Sequence, residues 1–376
     1  MSSMNLTIKT KLLPTLEQGE SLLRTIRAFN RACNYISGIA WTDQRFGKVH
    51  LQHRTYREVR DQFGLSAQMA VRAIGKVSES YKAEKKKQHQ FKELSAIVYD
   101  QRILSFKALD RVSILTLDGR ILLPMICGTY AQLHRQMVRG QADLLFKCGK
   151  FFLCICVEVP DGTPIDPKGT LGIDLGLSNI ATTSDGQFFS GKAVNRVRVR
   201  ANRLRKNLQH CGSRSAKRHL QKASGRERRF KRNENHRISK SIVRTAKDTG
   251  RAIALENLKG FQPTVRKADR ERFGKWAFSE LRQFISYKAK LAGIPVIAVD
   301  PRNTSRQCSA CGHTEKANRR SQSEFRCVHC GLTLHADLNA AINIAARAPV
   351  NVPIVAPIQH PDLRELQARP LQGMGG

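Results

Sequence analysis

The sequence predicts a multidomain protein with α+β and α/β parts: an N-terminal β-barrel interrupted by helices, then a second domain that contains two cysteine knuckles. Three observations predict this organisation. Over the first 160 residues a strand precedes a helical block, and short strands follow it. A linker rich in proline and glycine covers 160–168. Beyond the linker, apolar strands alternate with helical runs, and two Cys-x-x-Cys pairs lie near the C-terminal end.

The N-terminal strand and the helix after it have the clearest sequence signals. Residues 5–13 alternate apolar and polar side chains, which is typical of a half-buried strand, and Pro14 ends it. Thr15 and Gln18 have the spacing of a capping box, so the sequence predicts a helix over 16–40.

Two more helices and a series of short strands complete the N-terminal part. Helices are predicted over 53–62 and 66–90, and the second ends in three lysines that are either a solvated helix end or a phosphate contact. Short strands are predicted at 103–106, 112–117, 120–126, 142–148 and 151–159. The order of elements favours a barrel built from 1–14 and 95–162, with 15–94 as a helical insertion.

Two carboxylates lie within apolar strands of the second domain. Asp174 stands between large aliphatic residues, and Glu256 comes near the end of the buried-type strand 251–258. A carboxylate in such a place costs free energy unless something pairs with it. A helix over 276–292 and an apolar strand over 294–299 then lead to the cysteines.

Charge is the most unusual property of the composition. The chain has 65 Lys and Arg against 30 Asp and Glu, a formal net charge of +35, which predicts a polyanionic partner such as nucleic acid. An anionic membrane surface is the alternative, but the sequence has no apolar run of 18 residues and no signal-peptide core, so an intracellular protein without a membrane partner is expected.

The positive charge is densest between 192 and 250, where 20 Lys or Arg stand against three acids. Apolar residues recur there at helical spacing, which predicts two long helices that meet around Gly212 or Gly225, with one apolar and one cationic face. A solvated face normally mixes both signs, so this face is predicted to bind nucleic acid. Its candidate contacts are Arg203, Arg205, Lys206, Arg218, Arg228, Arg229, Lys231 and Arg232.

Four of the ten cysteines form two knuckles with the spacing of a structural zinc ribbon. Cys308 and Cys311 are separated from Cys327 and Cys330 by fifteen residues. Four thiolates complete a tetrahedron, so the neighbouring histidines are not needed as ligands. The remaining six cysteines show no disulfide spacing, which fits a reducing compartment.

A third acid follows the knuckles. Asp337 opens a helix-like run seven residues after the last cysteine, where an N-cap is the ordinary role of an isolated aspartate. If Asp174, Glu256 and Asp337 instead converge, their repulsion requires cations, and oxygen-only ligation favours Mg²⁺ or Mn²⁺. Two such ions suit phosphodiester hydrolysis. The residues therefore favour a divalent-metal nuclease, with a non-catalytic nucleic-acid-binding protein (a repressor) and a metal-dependent transposase as alternatives.

Three segments resemble the motifs of RuvC-type (RNase H-like) nucleases: Gly-Ile-Asp174-Leu-Gly-Leu, Ala-Leu-Glu256-Asn-Leu and Asp337-Leu-Asn-Ala-Ala-Ile. The run from Tyr287 through Asp300-Pro-Arg-Asn-Thr-Ser-Arg-Gln-Cys308 is similar to the signature of the TnpB (OrfB-type) proteins, transposon-encoded relatives of the type V CRISPR effectors. The resemblance is strong from about 169 to 347. It implies that the three acids are catalytic.

The same resemblance implies an RNA-guided DNA endonuclease that acts next to a short adjacent motif with a single RuvC site. Its partners are a guide RNA from the transposon end and double-stranded target DNA, its ions are Mg²⁺ or Mn²⁺ and a structural Zn²⁺, and a monomer in the prokaryotic cytoplasm is favoured. The barrel corresponds to a wedge domain and its insertion to a recognition domain. The RuvC-like domain is expected at 168–304 and 331–348, the zinc ribbon at 305–330 and a disordered tail at 349–376.

Overall fold

The computed structural model divides into two compact units, Met1–Pro160 and Asp161–Gly376. The residues that it describes are 3–108, 110–126, 128, 138–257 and 278–348. The start of the helix predicted at 276 and the whole tail predicted to be disordered lie outside the described residues. No helix among these residues is both long enough and apolar enough to span a membrane.

The first unit combines strands with one block of helices. Its elements in chain order are β1 (Ser3–Leu12), α1 (Leu16–Thr42), α2 (Lys48–Phe63), α3 (Ala67–Ala83), β2 (Ile97–Asp100), β3 (Leu104–Ala108), β4 (Arg111–Thr116), β5 (Gly119–Ile126), β6 (Val138–Lys147) and β7 (Lys150–Pro160).

The strands of this unit form one seven-stranded sheet in the order β2-β6-β7-β1-β5-β4-β3. The sheet curls into a nearly closed barrel, because its two edges approach each other. The hydroxyl of Tyr99 on the edge strand β2 donates to Leu115 O on β4, which is the neighbour of the other edge strand β3, over 3.0 Å. Alternate residues of β7 are buried, as the period of a strand requires. The predicted mixed fold with a barrel is therefore confirmed.

The capping box predicted at the start of α1 is present. Gln18 N donates to Thr15 Oγ1 over 3.3 Å, and Thr15 N donates to Gln18 Oε1 over 3.1 Å. The buried residues of α1 pack against α3, where Ser37 and Tyr81 share a hydrogen bond of 2.9 Å between their hydroxyls. The start and apolar face of the first helix thus follow from the sequence.

The prediction that the third helix reaches residue 90 was wrong. The helix α3 ends at Ala83, so the three lysines at 85–87 lie beyond it. The chain then returns to α1, where the side-chain amide of Asn34 donates to Phe91 O over 2.9 Å and accepts from Phe91 N over 2.7 Å. Tertiary contacts thus override the helix propensity of the lysine run. The short strand β2 was not predicted.

The second unit contains a five-stranded sheet, a short hairpin and helices. Its elements in chain order are β8 (Thr170–Asp174), β9 (Asn179–Thr183), β10 (Phe188–Ser190), α4 (Lys192–Cys211), α5 (Arg214–Ala223), α6 (Arg226–Asp248), β11 (Ala252–Glu256), α7 (Phe278–Leu291), β12 (Val296–Val299), β13 (Glu324–Arg326), β14 (Thr333–His335) and α8 (Ala336–Ala346).

The larger sheet has the order β10-β9-β8-β11-β12. The strands β8, β9 and β10 are antiparallel neighbours, whereas β8, β11 and β12 are parallel. Successive side chains of β11 point to opposite faces. Ile253 and Leu255 join a core with α6 and α7, and Ala254 joins a smaller core with Ile344 of α8. Helices therefore cover both faces of the central strands.

The basic segment forms three helices, where two were predicted. Both Gly212 and Gly225 adopt positive φ, 62° and 79°, and each interrupts the helical run. The sequence signal named both glycines as possible boundaries, and the structure uses both.

Candidate active site

Asp174 and Glu256 lie at the same edge and on the same face of the larger sheet. The parallel strands β8 and β11 pair Gly172 with Ala254, and each acid stands two residues further along its strand. Residues two apart share a face, and the carboxyl ends of adjacent parallel strands meet at one edge. The register therefore directs both carboxylates toward the face that α8 covers.

The helix α8 brings Asp337 to this edge because the strand beneath it has no side chain in the way. A Cβ on Gly172 would lie 2.1 Å from Ala341 O and 2.5 Å from Ala345 N of the helix. Only glycine permits this approach. The backbone of α8 therefore rests directly on β8.

Asp337 is not the N-cap of α8. The cap is His335, whose Nδ1 accepts from Asp337 N over 3.2 Å. The Asp337 carboxylate is free for other contacts: its Oδ2 accepts from Asn179 Nδ2 over 2.9 Å, and its Oδ1 lies 3.9 Å from a guanidinium nitrogen of Arg319. With a side chain only 10% exposed, Asp337 is a buried carboxylate, and its negative charge contributes to the raised pKa of Asp174.

Glu256, at the end of β11, is held through both its backbone and its side chain. Arg282 donates to Glu256 O over 2.9 Å. Thr304 donates from its hydroxyl to Glu256 Oε1 over 2.6 Å. Thr304 follows the strand β12, the parallel neighbour of β11, so strand order explains how two segments far apart in sequence meet here.

Asp174 is electrostatically coupled to both of the other acids. Burial, reinforced by the negative charges of Glu256 and Asp337, raises the pKa of Asp174 to about 8, and the Arg319 guanidinium acts in the opposite direction. Burial also raises the pKa of Glu256, whereas the Thr304 hydrogen bond and the charge of Arg347 lower it. Three largely buried carboxylates at one sheet edge, two of which repel Asp174, match the donor set of a hard divalent cation.

The four predicted zinc ligands come together at the turn of the β13–β14 hairpin, which contains Cys327 and Cys330. All four Sγ atoms lie within 4.8 Å of one another, with Cys308 and Cys330 at 3.6 Å and Cys311 and Cys327 also at 3.6 Å. Sulfur atoms around a tetrahedral Zn²⁺ at 2.3 Å are about 3.8 Å apart. The cluster therefore fits a structural zinc ion, and the nine described cysteines form no disulfide.

One thiol of this cluster is already biased toward the thiolate that a metal needs. Burial opposes ionisation of Cys327, but the backbone N–H groups of Cys330 and His329 outweigh it and lower the pKa of the Cys327 thiol to about 6. Backbone N–H groups directed at sulfur favour the thiolate form of Cys327, whereas burial raises the pKa of the Cys308 thiol to about 12.

The segment between the knuckles also reaches the acids through Arg319. The preceding residue, Asn318, is fully buried and fixes the local backbone: its Nδ2 donates to Arg306 O over 3.0 Å and to His313 O over 3.2 Å, and its Oδ1 accepts from Val328 N over 2.9 Å. The cysteine-bound segment thus supplies a cation to the acidic cluster.

The predicted nucleic-acid contacts fall into two groups. Six are exposed on the helices α4, α5 and α6, namely Arg203, Lys206, Arg218, Arg228, Arg229 and Arg232. Arg205 is half-buried and donates to Asn202 over 2.9 Å and to Glu227 over 3.3 Å, so it joins α4 to α6. Lys231 is also half-buried, and burial lowers its pKa. Those two residues are therefore the weaker candidates for phosphate contact.

Three partners of the acids were not predicted as site residues. Asn179 and Thr304 carry no sequence signal for such a role, because ordinary polar residues in turns look the same. Arg319 lies between the two knuckles and carries no sequence signal beyond its positive charge.

Two family models match segments of the chain between residues 154 and 344. The model described as "Probable transposase" matches residues 154–259, and the model described as "Cas12f1-like, TNB domain" matches residues 278–344. The first match contains Asp174 and Glu256, and the second contains all four knuckle cysteines together with Asp337. Both matches agree with the resemblance to TnpB (OrfB-type) proteins seen in the motifs.

Named relatives support the same resemblance. The chain is 31% identical over 256 residues to "Putative RNA-guided DNA endonuclease InsQ" of Escherichia coli K12, a match that covers 61% of this chain and 62% of that protein. It is 35% identical over 128 residues to "TnpB-like protein MJ0751" of Methanocaldococcus jannaschii, covering 33% of this chain and 45% of that protein. The chain thus spans less than two thirds of the length of these curated relatives.

A solved structure shares the fold. The protein in "Cryo-EM structure of the Cas12f1-sgRNA-target DNA complex" superposes with a TM-score of 0.60 at 14% identity, over 91% of this chain and 99% of that chain. At this identity the similarity shows the fold alone.

Proposed function

We propose that this chain, whose resemblance to the TnpB (OrfB-type) family rests on two family models and on its named relatives, is a transposon-encoded, RNA-guided DNA endonuclease that depends on a divalent metal. One observation carries the proposal. Three carboxylates from β8, β11 and α8 lie at one edge of a sheet, where burial and the negative charges of Glu256 and Asp337 together raise the pKa of Asp174 to about 8. Such a set serves metal-dependent phosphodiester chemistry.

The fold supports a RuvC-type assignment. An antiparallel β8–β9–β10 meander continues into the parallel strands β11 and β12, as in RNase H-like sheets, with acids on the two central strands. In this proposal 168–304 and 331–348 form the nuclease domain, and 305–330 is a zinc ribbon that binds target nucleic acid. The barrel and its helices serve as wedge and recognition domains.

Asp174, Glu256 and Asp337 are the residues that would hold Mg²⁺ or Mn²⁺, because they offer only oxygen donors at one edge of the sheet. When bound, two such ions supply an activated water and stabilise the leaving oxygen of a phosphodiester. The chain itself prepares this geometry. Asn179 and Thr304 each hold one oxygen of an acid, and Arg319 offsets part of the repulsion between the acids.

The cationic helices account for the proposed partners. Exposed Arg and Lys side chains on α4, α5 and α6 would bind the phosphates of a guide RNA from the transposon end and of double-stranded DNA. In guided recognition the protein contacts backbone and a short adjacent motif, and base pairing reads the sequence. Backbone contacts of this kind suit a surface with many cations and few acids, because the phosphates are negatively charged.

A cleavage assay on the full chain tests the proposal. The protein is purified with the RNA that accompanies it from its native locus, and matched double-stranded DNA and Mg²⁺ are added. We expect cleavage by the wild type, and no cleavage by Asp174→Ala although RNA-dependent DNA binding persists. Asp166→Asn, an exposed acid of the same unit, is the control and should cleave normally.

The products distinguish the alternative functions. Joined rather than cut DNA would favour a metal-dependent transposase, an activity that the description of one matching family model names. Intact DNA with the wild type, despite RNA-dependent binding, would favour a guided repressor. Cleavage that persists in Asp174→Ala would refute the assignment of the site.

A further inference from the structure

We infer that Thr304 is a positioning residue: its hydroxyl holds one oxygen of Glu256 so that the other oxygen faces Asp174 and Asp337. This inference rests on the proposed function and deepens it, since it assigns the orientation of one metal-binding carboxylate to a residue outside the acidic set. Thr304 lies in the segment between β12 and the first knuckle.

The contact itself is short and buried. Thr304 is 3% exposed, and its Oγ1 lies 2.6 Å from Glu256 Oε1 and 3.0 Å from Pro301 O. A hydroxyl has one proton to donate, and an ionised carboxylate is the stronger acceptor of the two. The proton therefore belongs to the bond with Glu256. Of the two carboxylate oxygens, Oε1 is occupied by this bond, and Oε2 remains for a cation.

The backbone of Glu256 cannot orient the carboxylate by itself. It is fixed at the end of β11, where Asn257 N donates to Val299 O over 2.8 Å and Arg282 donates to Glu256 O over 2.9 Å. Beyond the Cα atom the side chain still has three rotatable bonds. The Thr304 hydroxyl is the contact that selects among these rotamers, and an ordered carboxylate loses less entropy when a cation binds.

The position of Thr304 is in turn set by α8. Asn343 Nδ2 donates to Thr304 O over 2.8 Å and to Gln307 O over 2.7 Å. One turn earlier, Asn339 Nδ2 donates to Gln307 O over 2.8 Å, and one turn later Arg347 donates to Asp300 O over 3.0 Å. Residues 339, 343 and 347 recur every four positions, so they share one face of the helix.

The helix that carries Asp337 therefore also places Glu256, through the 300–307 segment. The helix α8 thus determines the positions of two of the three acids: it carries Asp337 itself, and Thr304 connects it to Glu256. The arrangement resembles the way in which groups behind the metal ligands orient them, and loss of such a group typically lowers metal affinity or activity about 10- to 100-fold.

A purely local role for the hydroxyl is the competing explanation. The Thr304–Pro301 contact closes a turn, and removing it would alter the stability of the loop. Thr304→Val removes the hydroxyl without changing side-chain volume, and Thr304→Ser keeps the hydroxyl. Thr183→Val is the matched control, because Thr183 is 1% exposed, accepts from Gln187 N over 3.1 Å, and lies on the face of β9 opposite to the acids.

The test combines metal binding with cleavage. Full-length protein without nucleic acid is titrated with Mn²⁺ and followed by electron paramagnetic resonance, with Glu256→Gln as the reference for loss of the ligand. We expect Thr304→Val to weaken Mn²⁺ binding about 10-fold or more. It should also raise by a similar factor the Mg²⁺ concentration that gives half-maximal cleavage. Thr304→Ser should restore both, and Thr183→Val should leave both unchanged.

The outcomes separate this inference from the proposed function. If the wild type binds Mn²⁺ and Thr304→Val binds it poorly, yet no DNA is cut, the positioning role stands and the nuclease proposal fails. If the wild type cuts DNA and Thr304→Val shows the same Mn²⁺ affinity and Mg²⁺ dependence, the positioning role is wrong. It is equally wrong if the wild type binds no Mn²⁺ at the acids, or if Thr183→Val shows the same loss.

Discussion

The second unit contains two clusters suited to metal ions, and they are built in opposite ways. The four cysteines come from two tight knuckles within 308–330, and their sulfur atoms already have nearly the spacing of a zinc tetrahedron. The three acids come from elements spread over 163 residues, and burial together with the charges of the other two acids raises the pKa of Asp174. A closed thiolate site is assembled locally, whereas an open carboxylate site depends on the whole sheet.

The difference follows from what each site has to do. A structural ion is permanent, so the polypeptide can enclose it with soft ligands and stabilise itself through the bound state. A catalytic ion must leave room for water and substrate, so its ligands stand at an open edge and remain electrostatically strained without it. Arg319 connects the two sites, because the cysteine-bound segment carries it to Asp337.

The largest expected effect comes from breaking the closed site. Cys308→Ser removes one thiolate from a buried position, and a structural zinc ion in a small module contributes about 10–16 kcal/mol of binding free energy. We expect loss of the zinc from the protein together with loss of cleavage, because the segment that positions Arg319 and leads to Asp337 unfolds. Zinc content by mass spectrometry and the cleavage assay measure the two effects.

Cys148→Ser is the control for that substitution, since Cys148 is exposed and lies in the first unit. It should retain zinc and cleavage. A Cys308→Ser protein that cuts DNA normally but binds it weakly would show that the ribbon serves only as a binding module. In that case the closed site would not support the open one.

The contrast between the sites also explains how far the sequence could predict them. The spacing of the two Cys-x-x-Cys pairs is enough to predict a zinc ribbon, because all four ligands are near one another in the chain. Asp174 and Glu256 could be found as carboxylates in apolar strands, and family motifs named Asp337. Thr304 and Asn179 could not be found, since their roles depend on the register of β8, β9 and β11 and on the approach of α8 to Gly172.

The same reasoning applies to the fold. Alternating strands and the capping box are local signals that gave correct elements, and the two glycines marked both helix boundaries of the basic segment, although only two of its three helices were predicted. The end of α3 at Ala83 was missed because it depends on the pairing of Phe91 with Asn34, a contact between segments 57 residues apart. Local signals locate elements, and tertiary contacts decide where they stop.

A smaller effect is expected in the pH dependence of the open site. In the folded protein without divalent metal the pKa of Asp174 is about 8, against 3.8 for an unperturbed aspartate. Between these values the folded state retains a proton that the unfolded state has lost. The free energy of unfolding must therefore fall as pH rises from about 4 to about 8.

Asp174→Asn removes this linkage. In chelator-treated protein at pH 9, we expect the variant to be more stable than the wild type by about 2–4 kcal/mol, and the difference should shrink toward pH 4. Denaturant titrations across this range measure it, and Asp166→Asn should follow the wild type. Identical pH profiles for wild type and Asp174→Asn would mean that the pKa of Asp174 is not raised in the folded protein.

The smallest effect is expected at the link between the two sites. Arg319→Gln removes the cation that lies 3.9 Å from Asp337, and it leaves all the proposed metal ligands of both clusters unsubstituted. The pKa of Asp174 should then rise further, because the guanidinium is the charge that opposes the shift. We expect cleavage to fall about tenfold at neutral pH, equivalent to about 1.4 kcal/mol, with most of the loss recovered at higher pH as Asp174 ionises.

Arg320→Gln is the matched control, because Arg320 is the exposed neighbour and has the same charge. It should change salt dependence of nucleic-acid binding without moving the pH profile of cleavage. If both variants lower cleavage equally at every pH, the ribbon contributes only general positive charge. If Arg319→Gln alone shifts the pH profile while zinc content is unchanged, the closed site acts on the open site through this one side chain.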